Sequence, residues 1–214
     1  MDMMIQLDAA EARALGSLAE KSMTTREQYP LTFNALQNAC NQKSSRDPVM
    51  TLDADSLGRA VQGLVEKGLA ERQQAPGERV PKFRHDIGRL LGSDDVKLIG
   101  AMTVLLLRGP QTPGEIKVRS ERFCRFESTA EVEALMQQLC AAAEPLVARL
   151  PRQPGQKEAR YAHLFSGPVA ASAPERPAAA AAAPQPAPDR LAELEKRVEA
   201  LEVRLLELEG RLGS

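Results

Sequence analysis

PGERVPKFRH (residues 76–85) has a near-twin in PGQKEARYAH (residues 154–163). Each opens on a Pro-Gly turn signal, carries polar residues over a tip, and runs out through a basic residue, an aromatic, one further residue and His. Two hairpin tips of one design in one chain predict a module that is built twice.

Working outward from the first tip, the preceding chain reads as three helices. Asp8 with Glu11 three residues on is a capping-box pattern, and Leu7, Ala14, Leu15 and Leu18 form a helical stripe behind it. Pro30 fits the first turn of a second helix, where its missing N–H costs nothing, with Leu31, Leu36, Ala39 and Cys40 on the buried side. In SSRDPVMTL the Asp-Pro pair forces an extended or turned backbone, and VMTL reads as a short strand. Asp53 caps a third helix with Leu57, Val61, Leu64 and Val65 on one face, and Gly68 stops it. LAERQQ and VPKFRH then flank the tip as a hairpin.

The order recurs. Asp94 and Asp95 open a helix that ends at Arg108-Gly109-Pro110, Thr112-Pro113 opens a second, and Ser128 caps a third with Val132, Leu135, Met136 and Leu139 inward. PLVARLPR and ARYAHLF flank the second tip. Leu15-Gly16 corresponds to Ile99-Gly100, and Pro30 to Pro113. Three helices and a hairpin are the winged-helix arrangement. The fold expected is mainly α with small β-hairpins (α+β): two tandem winged-helix domains over 1–88 and 89–167, then a flexible linker over 168–188 and a C-terminal coiled-coil helix over 189–212.

The linker expectation rests on a Pro- and Ala-dense stretch with no apolar periodicity. After it Leu191, Leu194, Val198, Leu201, Leu205, Leu208 and Leu212 alternate in steps of three and four, a heptad seam. Arg190, Arg197, Arg204 and Arg211 fall at g, and Glu195, Glu202 and Glu209 at e. A parallel pair sets every g Arg against an e Glu, whereas an antiparallel pair opposes like charges. A parallel homodimer is therefore expected, the alternative being an amphipathic helix docked on its own globular part.

Bulk properties narrow the classes. The 214 residues are 43% hydrophobic and 27% charged, ordinary for a soluble globular protein, with a formal net charge of −1 and a pI near 6.2. Nucleic-acid binders are typically far more basic. Cys40, Cys124 and Cys140 are an odd set with no CxxC, so neither a disulfide framework nor a metal site is expected. The N-terminus lacks an export signal, and VKLIGAMTVLLL is too short for the roughly 20 residues of a bilayer span. A cytoplasmic protein without a membrane segment is expected.

LTFNALQNACNQKSSRDPVM, LVEKGLAE, PKFRH and TPGEIKVRSERFCRF, in that order, resemble the YceH-like family of uncharacterised bacterial proteins over roughly residues 7–165. The resemblance implies a tandem winged-helix fold and a bacterial cytosolic setting, and it implies no established activity. The linker and heptads lie outside the region of likeness.

Nothing here reads as an enzyme or as a cofactor site. There is no P-loop and no GxGxxG, and His85 and His163 sit at equivalent strand ends, which favours duplicated packing over catalysis. A winged helix ordinarily lays its third helix in the major groove. In the first copy Arg59 and Gln62 are its candidate base readers, among acidic neighbours; in the second copy the outward positions carry no cation. Basic residues gather elsewhere: Lys43 and Arg46 between helices two and three, Lys117, Arg119, Arg122 and Arg125 on and after the second copy's second helix, and Arg79, Lys82, Arg84, Arg152, Lys157 and Arg160 along the hairpins. If these converge, they can grip phosphates despite the neutral total. Two readings stand: a dimeric DNA-binding transcriptional regulator, or an interaction adaptor that binds protein rather than DNA.

Overall fold

The structure, a computed structural model, describes residues 5–74, 76, 77, 79–152, 155, 156 and 158–167. The expected linker, the heptad helix with Leu191, Leu194, Val198, Leu201, Leu205 and Leu208, and Lys157 lie outside the described residues. All described residues belong to one compact unit. It is a mixed α/β body with seven α-helices and two small antiparallel sheets among the described residues.

The first half runs α1 (Ala9–Thr24), a 3-10 turn (Arg26–Gln28), β1 (Leu31–Thr32), α2 (Phe33–Cys40), α3 (Ala54–Glu66), β2 (Ala70–Gln73) and β3 (Lys82–His85). A five-residue helix, α4 (Ile87–Leu91), leads to the second half: α5 (Val96–Arg108), α6 (Pro113–Ser120), α7 (Thr129–Ala141), β4 (Val147–Arg149) and β5 (Tyr161–His163). Local chemistry sets most starts. Asp8 and Glu11 close a capping box on α1, Thr112 and Glu115 close another on α6 with Pro113 in its first turn, and Asp53, Asp95 and Ser128 cap α3, α5 and α7. Gly68, at φ +68, takes the left-handed turn that carries the chain from α3 into β2.

Strand topology repeats as well. The first sheet has order β1-β3-β2, with Leu31 opposite Phe83 and Ala70 opposite His85. In the second half β4 pairs β5, with Val147 opposite His163, and Gln111 bridges Tyr161 through N–H···O bonds of 2.9 and 2.8 Å. A short extended segment shortly before each second helix thus pairs with the last strand of its half.

Two expectations are corrected here. Pro30 lies outside α2, because Leu31 and Thr32 are committed to the sheet and Thr32 becomes the N-cap. Val49 to Leu52 forms no strand. The Asn41 carboxamide instead accepts from Leu52 N at 2.8 Å and donates to Leu52 O at 2.9 Å, supplying the two bonds a partner strand would have given.

The core is shared between the halves. α1 packs most extensively on α5 and also against α3, so residues 11–20 are buried all round the helix. Leu15, Leu18, Leu57 and Leu64 belong to the same apolar cluster as Met102, Leu105, Val132 and Tyr161. Gly16 permits the approach: a Cβ there would lie 3.0 Å from the Leu107 side chain and 3.1 Å from that of Leu106. The sequence stripe marked one buried face of α1. The fold buries the others by pairing each charged group, Glu11 with Lys67 at 2.5 Å, Arg13 with backbone carbonyls, and Glu20 with two arginines.

Candidate nucleic-acid interface

The segment between α2 and α3 turns sharply at Ser45, a non-glycine residue at φ 59, and drives Arg46 inward. Its guanidinium donates to Glu20 at 2.6 and 3.2 Å, to Ala39 O at 2.8 and 3.1 Å and to Ser45 O at 2.9 Å. Arg122, just past α6, donates to the same Glu20 carboxylate. Two quoted motifs from opposite halves therefore meet on one buried acid. Asp47 N–H donates to Leu107 O at 3.0 Å, which seats the loop on the end of α5.

Beside that contact stands Arg108. Burial lowers its pKa, and the nearby charges of Arg119, Arg122 and Arg46 lower it further, against a smaller opposing effect of Asp47. Arg119 in turn leans on Glu115 at 3.6 Å, and Arg160 takes the same carboxylate at 2.8 and 3.2 Å while donating to Pro110 O. Guanidiniums outnumber carboxylates along this seam. Arg108 has no salt bridge of its own among the described residues. Lys43 and Arg125 are exposed on its flanking loops and Lys117 is partly exposed on α6.

The structure thus brings Arg46, Arg119 and Arg122 together. It also corrects the first of them: Arg46 is 5% exposed and fully engaged, so it braces the seam and offers nothing to a phosphate. Arg59 and Gln62 are exposed on α3, where Arg59 reaches Ser56 Oγ at 3.3 Å and Gln62 reaches Glu66 at 2.9 Å. Asp53 and Asp55 share the first turn of that helix. Backbone and hydroxyl hydrogen bonds from Ser56 hold the Asp53 carboxyl below its ordinary range. Arg79, Arg84 and Arg152 are exposed on the hairpins, Arg84 lying 3.7 Å from Glu71, and Lys82 is half-buried. On α7, Glu131 is paired with Lys97 and Glu133 accepts from Tyr161 at 2.7 Å, so both carboxylates are tied inward.

The histidine twins are alike in sequence and unlike in contacts. His85 Nε2 lies 2.8 Å from Ser22 Oγ, its Nδ1 accepts from Ile87 N–H at 3.2 Å, and its ring tilts against Tyr29. His163 stacks on Phe165, and its buried Nδ1 has no hydrogen-bond partner. Burial lowers both pKa values to about 4. Sequence reasoning missed Glu20, Arg108 and Arg13. The first and last stand on α1 outside its apolar stripe, and Arg108 stands in the last turn of α5, where local sequence carries no sign of their partners. Among the described residues no group of three or more His, Cys, Asp or Glu could hold a metal ion, and no helix is long and apolar enough to cross a membrane.

Comparison with known proteins finds one family model, described as a protein of unknown function, DUF480, matching residues 7–156. A UPF0502 protein of Aeromonas hydrophila is 43% identical, covering 99% of this chain and 98% of its own length. Another from Pelobacter propionicus is 51% identical over 79% of this chain and 77% of its own, and one from Koribacter versatilis is 48% identical over 76% and 75%.

Proposed function

The chain belongs to the DUF480 family of proteins of unknown function, and from that premise we propose that it is a non-enzymatic tandem winged-helix protein that binds duplex DNA as a transcriptional regulator. The observation that carries the reading is the cationic surplus of the seam, where Arg108 sits among other guanidiniums with Lys43, Lys117 and Arg125 in the flanking chain. A local surplus of this kind attracts phosphates whatever the total charge of the molecule.

Topology supports the module. Each half has the order helix, strand or bridge, helix, helix, hairpin, with the first extended segment against the last strand. In the first half α3 presents Arg59 and Gln62, donors suited to guanine and adenine edges. The corresponding α7 offers carboxylates that are already engaged, so the second half is the poorer reader and the better brace. Two readers then come from two protomers. The heptads over 189–212 pair the chains in parallel and set two α3 helices at neighbouring half-sites.

A second reading has its own observation. Val118 is 66% exposed between Lys117 and Arg119, and an apolar side chain flanked by cations suits an acidic, partly apolar protein segment. The test is anisotropy of a labelled duplex titrated at low salt with wild-type chain, with Lys43→Glu/Lys117→Glu/Arg125→Glu and with Arg59→Glu. The DNA reading expects both variants to weaken binding, the triple one on every sequence. Undiminished binding by the triple variant removes the seam from the contact. No binding by the wild type leaves the adaptor.

A further inference from the structure

The outward side chains of α3 fall on one stripe: Asp55, Arg59, Gln62 and Glu66 follow one another in steps of four, three and four, and all are exposed. An acid on a face offered to DNA works against phosphates, so Glu66 asks for a role of another kind. It accepts from Gln62 Nε2 at 2.9 Å. An ionised carboxylate only accepts, so the NH2 end of the carboxamide is the one end that can face it. The contact therefore fixes which way round the amide lies. One N–H is committed to Glu66, and Oε1 and the other N–H have no partner among the described residues.

An acceptor beside a donor on one planar edge is the complement of adenine, whose major-groove edge carries an N6–H donor and the N7 acceptor; guanine puts two acceptors there. Arg59 commits one nitrogen to Ser56 Oγ at 3.3 Å and keeps further donors for guanine O6 and N7. Three residues rise about 4.5 Å along a helix, against about 3.4 Å per base pair, so the two side chains reach base pairs no more than about two steps apart.

We infer that Glu66 is a positioning residue for sequence readout: it holds the Gln62 carboxamide so that α3 selects adenine, with guanine selected by Arg59 within two base pairs of it. The inference rests on the DNA-binding reading above and names the sequence element that reading requires. Without a carboxylate at position 66 the amide can turn over and set its donor against adenine's donor. The same charge weakens binding to every duplex, so Glu66 gives up general affinity and sharpens the choice between sequences.

The experiment selects duplexes with the full chain from a library whose random core spans about two helical turns, then measures anisotropy of the selected duplex, of its A·T-to-G·C variant and of a shuffled duplex. Wild type should enrich a G and an A within two base pairs. Arg59→Ala should lose the first preference alone and Gln62→Ala the second alone, each by about tenfold or more. Glu66→Gln should lose the adenine preference as fully as Gln62→Ala does, while binding the shuffled duplex about two- to fivefold more tightly. Glu66→Asp, which keeps a carboxylate one turn on from Gln62, should retain the preference. A contact that only stabilised the helix would move the thermal midpoint and leave base preference unchanged. Adenine selection that survives Glu66→Gln, or that is lost equally in Glu66→Asp, overturns the positioning role and leaves DNA binding standing. Duplex binding without a preference that depends on Arg59 and Gln62 also overturns this inference alone, whereas no binding of any duplex at low salt overturns it together with the reading it rests on.

Discussion

Replacing Glu20 with Gln removes the one negative charge that two halves of the chain share. Arg46 has a side-chain exposure of 0% and Glu20 of 1%, so no water compensates. The Gln carboxamide can accept from one guanidinium nitrogen, but its NH2 then faces donors. Breaking a buried pair by removing one partner costs about 3–5 kcal/mol, because the other charge stays buried and unmatched. Arg122 is different. Its side chain is 49% exposed, water takes over when its partner goes, and Arg122→Gln should cost no more than about 1 kcal/mol. The double variant Glu20→Leu/Arg46→Met removes both buried charges and should cost less than Glu20→Gln alone, although Ala39 O and Ser45 O lose their donors. Urea unfolding followed by circular dichroism gives each difference from midpoint and slope. Should Glu20→Gln cost under about 1 kcal/mol, or Arg122→Gln cost as much as Glu20→Gln, the buried-triad reasoning is refuted.

Acid should destabilise the fold through the two histidines. Their native pKa values are about 4, against an ordinary 6.5, so between those values the unfolded chain binds protons that the native state excludes. Stability is unaffected above about pH 6.5 and falls by about 1.4 kcal/mol per pH unit per ring below it, reaching about 3 kcal/mol for each by pH 4. Unfolding midpoints from pH 7 to 4, with imidazole protonation followed by NMR, check it; a ring that protonates near pH 6.5 in the folded protein contradicts it. Gly100→Ala would place a Cβ 2.2 Å from Cys124 Sγ and should cost about 1–3 kcal/mol by overpacking, most of it recovered in Gly100→Ala/Cys124→Ala, as read from thermal melts. Deleting residues 189–212 should convert a dimer to a monomer in sedimentation, and an unchanged mass would remove the heptads from assembly.

Helix starts were legible in the sequence because capping is local: Asp8 with Glu11, Asp53, Thr112 with Pro113, and Ser128 each act within three residues. β1 was not, since two residues carry no alternation, and its partner Phe83 is 52 positions on. α4 escaped for a similar reason, five residues being too few for a helical period. The burial of α1 on all sides was invisible because each polar group is matched from far away, Glu11 by Lys67 and Glu20 by Arg122, 102 positions distant. At the seam the residue types were readable and their assignments were not. Arg46 and Arg122 look equally available in sequence, and only packing shows that the first is a brace. His85 and His163 matched in pattern, yet packing gave one two partners and left the other's Nδ1 facing none.

The salt dependence of duplex affinity bears most directly on the account. If the seam grips phosphates through Arg108, Lys43, Lys117 and Arg125, log K against log salt should fall with a slope of about −3 to −4 per protomer, near −0.9 for each phosphate neutralised. Affinity that is flat in salt, or absent at low salt, would contradict it.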